Sequence, residues 1–143
     1  MMTSAAGQQC PLRAFTVHQP YAWSIVHGTK NVENRTRNIA GQYRGLVAIH
    51  AGKTFDPTAL EFVRDQGDHP PTEPELLRGH IIGVVDLVDV THHYPSSWAL
   101  PDHLHLVLVN PRPLPTPLPY RGALGLWTPA ADTAAAIHTQ LRS

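Results

Sequence analysis

Apolar positions in this chain fall in short runs separated by prolines, glycines and charged residues, a spacing that suits short strands interrupted by a few helices. Residues 14–18 (Ala-Phe-Thr-Val-His) form a β-rich run. Pro20 suits the first turn of a helix, and residues 21–27 continue it with Ala22, Ile25 and Val26 on one apolar face. Gly28 is placed to end that helix in a left-handed conformation. Residues 31–37 then run extended, and period-two geometry puts Glu33, Arg35 and Arg37 on one face with Val32 and Asn34 on the other. Gly41 marks a turn, and residues 46–50 (Leu-Val-Ala-Ile-His) read as a buried strand ending at His50.

Asp56-Pro57 starts a second helix, with Asp56 as its cap, Leu60, Phe62 and Val63 on its apolar side, and Gly67 as its stop. A proline-rich loop over residues 68–74 leads to the longest strand signal, residues 80–90, in which Asp86 and Asp89 interrupt an apolar run. Residues 104–109 make another strand. Between 110 and 119 every odd position from Pro111 is proline, which argues against a central strand and for extended, polyproline-like backbone. That stretch reads as a rigid connection packed along the domain or, alternatively, as a ligand for an SH3-type partner. Residues 122–128 look like a closing strand, and the alanine-rich residues 130–141 a final helix. No repeat and no second domain is visible. The elements predict an α+β fold or a small β-barrel with two to three flanking helices, in one domain over residues 12–143.

A length of 143 residues with a 42% hydrophobic fraction supports one real core. No apolar run is long enough for a membrane span, and the polar N-terminal residues 1–11 read as a loose tail without a signal peptide. The single cysteine, Cys10, sits in that tail and fits a reducing cytoplasm. Net charge is zero, which argues against a protein that coats nucleic acid by bulk electrostatics. The charge is nonetheless uneven. Residues 1–53 carry Arg13, Lys30, Arg35, Arg37, Arg44 and Lys53 against Glu33 alone, whereas the remainder is acidic. A basic first half favours an anionic ligand, unless the halves interleave in space.

The densest chemistry lies between His18 and Arg35. Lys30, Glu33 and Arg35 follow a short helix that carries Trp23, and Gln19 precedes it, a combination suited to a polar, planar ligand. Lys30 acts as a base or nucleophile only if neutral, through burial or a cationic neighbour such as Arg35. Paired with Glu33 it stays charged and anchors a phosphate or carbonyl. If Glu33 pairs with Arg35 instead, Lys30 is freed for chemistry, while the ion pair alone would serve as a structural brace. One of Tyr21 and Trp23 is expected to line the pocket, where an aromatic ring stacks on a base, and Trp98 and Trp127 are assigned to the core or its rim. His50 is either a cleft-facing hydrogen-bonding or acid–base group or a histidine bonded at the edge of the core. Ten histidines include His92-His93 and His103/His105, yet no third ligand stands at diagnostic spacing, so no metal or cofactor is expected. Glycine-rich phosphate loops, Ser-His-Asp order and zinc-finger spacing are absent from the sequence.

Gly28, Lys30, Glu33 and Arg35 fill the Gly-x-Lys-x-x-Glu-x-Arg pattern of the ASCH family, a branch of the PUA-like β-barrels. Gln19-Pro20-Tyr21-Ala22-Trp23, Tyr43-Arg44-Gly45, Asp86-Leu87-Val88-Asp89 and Asn110-Pro111-Arg112-Pro113 also resemble that family in order, so the likeness spans roughly residues 12–128. The resemblance implies a PUA-like small mixed β-barrel with a cleft lined by the Lys-Glu-Arg motif, in a small stand-alone bacterial-type protein. It implies RNA or a modified nucleotide or nucleoside as partner, with single-stranded DNA as a further candidate and no membrane or protein partner. Gln19, Trp23, Lys30, Glu33, Arg35 and His50 are the expected binding residues. One group of small ASCH proteins hydrolyses the acetyl amide of N4-acetylcytidine with a lysine, a threonine and a glutamate. Lys30 matches the lysine, Glu33 stands at the threonine position, and Asp86 is the nearest candidate for the glutamate. The rival expectation is therefore an amidohydrolase using Lys30 with Glu33 or Asp86. Ribonuclease activity, with His50 participating, is a third.

Overall fold

The computed structural model describes residues 11–143. The loose tail and Cys10, expected from the sequence, lie almost entirely outside the described residues. The chain forms β1 (Leu12–Gln19), α1 (Tyr21–Val26), β2 (Val32–Arg35), β3 (Gly45–Phe55), α2 (Ala59–Asp65), a short 3-10 turn (Glu73–Glu75), β4 (His80–Thr91), β5 (Leu104–Pro119) and α3 (Ala131–Leu141). The fold is mixed α+β. One five-stranded sheet has the order β1-β3-β4-β5-β2, with β1 parallel to β3 and every other pair antiparallel.

Side-chain alternation divides the central strands between two cores. Phe15 and Val17 of β1 and Val47, Ile49 and Ala51 of β3 face the cluster completed by Ala22, Ile25 and Val26 of α1. Leu12 and Ala14 of β1 and Ala48 of β3 face the opposite cluster, closed by Ile137 of α3. A third cluster joins Val32 of β2 to Val63 of α2 and Trp98. With both faces covered, β3 is buried without interruption from Val47 to Gly52, as strands covered on both faces are.

The expected barrel is not closed. β1 and β2 remain the sheet's two edges, with no ladder between them. The sheet coils until those edges approach, and the Arg35 guanidinium of β2 donates Nη2–H to the Thr16 carbonyl of β1 at 3.0 Å. A side chain thus makes the link that backbone pairing would make in a barrel.

Several boundaries differ from expectation for identifiable reasons. The second helix starts at Ala59, because the Asp56 carboxylate folds back on Thr58, accepting from its N–H at 3.0 Å and its hydroxyl at 2.6 Å. The proline-rich run is not a free connection: β5 continues through it to Pro119, paired with β4 across register shifts. β2 accompanies β5 only as far as Val107, so beyond that point the prolines occupy an edge strand, where missing donors are tolerated. Gln140 of α3 then covers this edge, bonding the N–H of Thr116 at 3.0 Å and its carbonyl at 2.8 Å. Residues 122–128 do not form the closing strand. Only a two-residue bridge forms, Trp127 exchanging both backbone bonds with Ala14 at 2.8 and 2.9 Å. Gly28 is not in the left-handed region; a side chain there would run into the Asp68 carboxylate, so the position needs a hydrogen for space.

Gly83, in the middle of β4, is pressed between Val26 of α1 and the Arg112 carbonyl of β5; a Cβ would meet them at 2.6 and 2.9 Å. Gly83→Ala is therefore expected to destabilise the protein by about 1–3 kcal/mol through overpacking. Urea unfolding checks this, and an unchanged midpoint would contradict the packing described.

Candidate functional site

The approach of the two sheet edges leaves a cleft of about 1340 Å³, bounded by β1, β2, the end of β3, α1, Phe62 of α2, and the loops carrying Trp98 and residues 120–125. Local bonding fixes how Lys30 enters it. Helix α1 starts under a side-chain cap, with Gln19 Oε1 accepting from Trp23 N–H at 2.9 Å. At the other end the Ser24 carbonyl accepts from both Gly28 and Lys30 N–H at 3.1 Å. The Asp68 carboxylate holds the next residue, accepting from the Thr29 backbone N–H at 3.0 Å and its hydroxyl at 2.9 Å. This double clamp turns the chain so that the Lys30 side chain runs inward and is only 6% exposed.

The Lys30 ammonium donates to the Val32 carbonyl at 2.7 Å and lies 5.3 and 5.4 Å from the ring centres of Tyr21 and Trp98. Glu33 Oε1 is 3.9 Å away, whereas Glu33 Oε2 accepts from Arg35 Nε at 3.0 Å. Arg35 is therefore the closer partner of Glu33, as their shared strand face allows. Burial pushes the Lys30 pKa below the ordinary lysine value; Glu33 opposes that shift and Arg35 reinforces it. The two ring faces also favour the charged form, so the amine sits in a poised balance rather than as a plain surface cation.

On the other side of the sheet edge, Thr16 and His50 are register partners in the parallel β1–β3 ladder. His50 Nε2 lies 2.7 Å from the Tyr120 carbonyl. A carbonyl only accepts, so Nε2 carries the proton and Nδ1 of the neutral ring accepts from the Thr16 hydroxyl at 3.1 Å. A weaker acceptor for that hydroxyl is the Ala123 carbonyl at 3.4 Å. Burial lowers the His50 pKa, the Tyr120 bond opposes this, and nearby His80 adds to it. His18, Lys53 and Arg121 contribute to the cleft lining at exposed positions, and Leu124 there is 98% exposed.

The cleft lining brings together Lys30, Glu33, Arg35 and His50 from the sequence expectations. It does not include Gln19, which is buried as the α1 cap and donates its amide to the Leu77 carbonyl at 2.9 Å. Trp23 lies outside the lining and stacks on His27, leaving Tyr21 as the helix aromatic that faces the amine. Asp86 also lies elsewhere, in an ion pair with Arg112 at 2.9 Å. Arg37 is exposed beyond the end of β2. His105 is buried with both ring nitrogens occupied, Nδ1 by Tyr94 N–H at 3.2 Å and Nε2 by the Leu100 carbonyl at 2.8 Å. Sequence reasoning missed Thr16, Asn34 and the loop around Gly122, and left Trp98 at the core or rim. Strand alternation put Thr16 on one face of β1, but only the β1–β3 register brings it beside His50.

An open five-stranded sheet flanked by three helices, with a cation- and aromatic-lined cleft beside its edge strands, defines a small α+β domain. The ASCH domain profile matches residues 15–107, and the chain belongs to the ASCH family. The ASCH protein from Zymomonas mobilis is similar in structure, with a TM-score of 0.56 at 14% identity over 90% of this chain and 94% of that one. A tyrosine-to-phenylalanine variant of that protein superimposes with a TM-score of 0.60 at 13% identity, covering 91% of this chain and 98% of the other. A serine-to-alanine variant gives 0.52 at 13% identity, over 90% and 94% of the two chains. No curated protein matches in sequence. None of the helices is long and apolar enough to cross a membrane among the described residues.

A lysine whose folded pKa lies below its unfolded value weakens the fold fully below the folded pKa, and the penalty disappears as pH rises toward the ordinary value of 10.5. Lys30→Met, which has no titrating amine, lacks this pH dependence, so the stability of the wild type relative to Lys30→Met is expected to rise between pH 7 and pH 10. Chemical unfolding of both proteins at the two pH values checks this; a stability difference that stays constant, or moves against the wild type as the pH rises, would contradict it.

Proposed function

We propose that this ASCH protein binds RNA or a modified nucleotide or nucleoside in the cleft lined by Lys30, Glu33 and Arg35. The observation that carries the proposal is the buried Lys30 amine, held between the Tyr21 and Trp98 rings beside the Glu33 carboxylate. A nucleobase offers matching chemistry. Its face stacks on an aromatic ring, its carbonyl accepts from an amine, and its exocyclic amino group donates to a carboxylate. Arg35, Lys53 and Arg121 in the cleft lining supply cations for a phosphate. The nucleic-acid reading that ASCH membership implies agrees with this chemistry.

A second reading is supported by the lowered Lys30 pKa: hydrolysis of a small amide of the N4-acetylcytidine kind, with Lys30 as base and Glu33 beside it. Asp86 takes no part in this version, since it lies away from the cleft in its pair with Arg112.

Titration with short single-stranded RNA and with cytidine nucleotides tests the binding proposal. Removing a charged hydrogen-bond donor forfeits about 1.5–3 kcal/mol, so Lys30→Ala is expected to weaken binding roughly 10- to 150-fold. Unchanged affinity at low salt would remove the cleft from the proposal. Salt dependence should be shallow, a log–log slope of about −2 for about three phosphate contacts to a single strand. Incubation with N4-acetylcytidine decides the second reading: cytidine release lost in Lys30→Ala supports it, and no release, or release that survives the substitution, discards it.

A further inference from the structure

We propose that Thr16 and His50 form a nucleophile–base pair that hydrolyses a carboxylic ester of a ligand held in the cleft. The proposal rests on the reading that this cleft takes a nucleotide-like ligand, and adds a reaction to it. Three observations point the same way. Thr16 Oγ1 and His50 Nδ1 are 3.1 Å apart on adjacent strands, and the ring is oriented from its far side by the Tyr120 carbonyl at 2.7 Å. This is the arrangement of a hydroxyl activated by an oriented base. Both residues line the cleft. The loop above them carries a glycine where a side chain would crowd the pair: a Cβ on Gly122 would lie 2.5 Å from Thr16 Oγ1 and 2.7 Å from His50 Nδ1.

The chemistry closes with water as the only co-reactant. Thr16 Oγ bonds to the acyl carbon as its proton passes to His50 Nδ1. The bond from that carbon to the ester oxygen breaks, and the leaving alkoxide takes the proton from Nδ1. Water then adds to the acyl-threonine, giving a proton to Nδ1. The acyl–Oγ bond breaks, the acid departs, and the proton returns to Thr16. The ring's second partner, which completes the constellation, is a neutral carbonyl rather than a carboxylate, so it stabilises the imidazolium of the transition state weakly. That favours esters over amides, because an alkoxide leaves more readily than an amide anion. Arg35, whose Nη2 holds the Thr16 carbonyl at 3.0 Å, keeps the nucleophile's strand in place and ties this pair to the Lys30 side of the cleft.

The test uses the full chain and p-nitrophenyl acetate, with the modified residue mapped by tandem mass spectrometry. The expected result is p-nitrophenol release together with an acetyl group on Thr16. Thr16→Val, which keeps the shape, should abolish the adduct, Thr16→Ser should keep it, and His50→Asn should slow acylation about 100-fold or more. Gly122→Ala, which leaves both reacting residues in place, should also block the adduct; melting curves confirm that each variant folds. No release above that of free histidine, acetylation confined to lysines, or a Thr16→Val protein as reactive as the wild type would overturn the pair. RNA and nucleotide titration of Thr16→Val separates the two ideas. An acyl-Thr16 adduct without nucleotide affinity upholds the pair and sinks the nucleotide reading; affinity without an adduct does the reverse.

Discussion

The Arg35 guanidinium joins what the backbone leaves apart. It pairs with Glu33 on its own strand at 3.0 Å and reaches the Thr16 carbonyl on the far edge of the sheet at the same distance. A coiled sheet whose edges approach without pairing is left with unmatched backbone groups facing a gap. Here a planar donor spans part of the gap and leaves the rest as the cleft. By engaging Glu33, Arg35 also leaves the Lys30 ammonium only 3.9 Å from a carboxylate already in use. Lys30 therefore takes its closest bond from the Val32 carbonyl, between two aromatic rings. The geometry of the candidate site follows from where one arginine places its donors.

Much of the scaffold was legible in the sequence because it rests on local rules. The apolar face after Pro20 marked the first helix and the alanine-rich composition the C-terminal one, and the family pattern of Gly28, Lys30, Glu33 and Arg35 marked the turn from α1 into β2. Glu33 and Arg35 could be placed on one strand face by alternation alone, and they meet there. What failed were features set by distant partners. The proline run reads as a break in any local rule, yet β4 on one side and Gln140 of α3 on the other make it an edge strand. Gly28 has the sequence context of a left-handed helix stop, but its role is to clear the Asp68 carboxylate, forty positions along the chain.

The cleft shows the same division. Trp23 and Gln19 stand beside the motif in sequence, but the pitch of a six-residue helix sends Tyr21 toward the amine and leaves Trp23 on His27. Gln19 is consumed in capping the helix. Trp98 and Thr16 come from remote segments, and only the tertiary fold brings them to Lys30 and to His50. The structural likeness to the Zymomonas mobilis ASCH protein, at 14% identity, establishes the shared fold and leaves the chemistry to this chain's own side chains.

Chemical-shift mapping of an isotope-labelled sample titrated with a short single-stranded RNA tests most directly whether ligand meets the protein in the cleft around the Lys30 amine. The largest shifts are expected on Lys30, Glu33, Arg35, Tyr21 and the Trp98 indole. Shifts confined to the surface around Asp86 and Arg112, with those cleft signals unmoved, would contradict binding in the cleft.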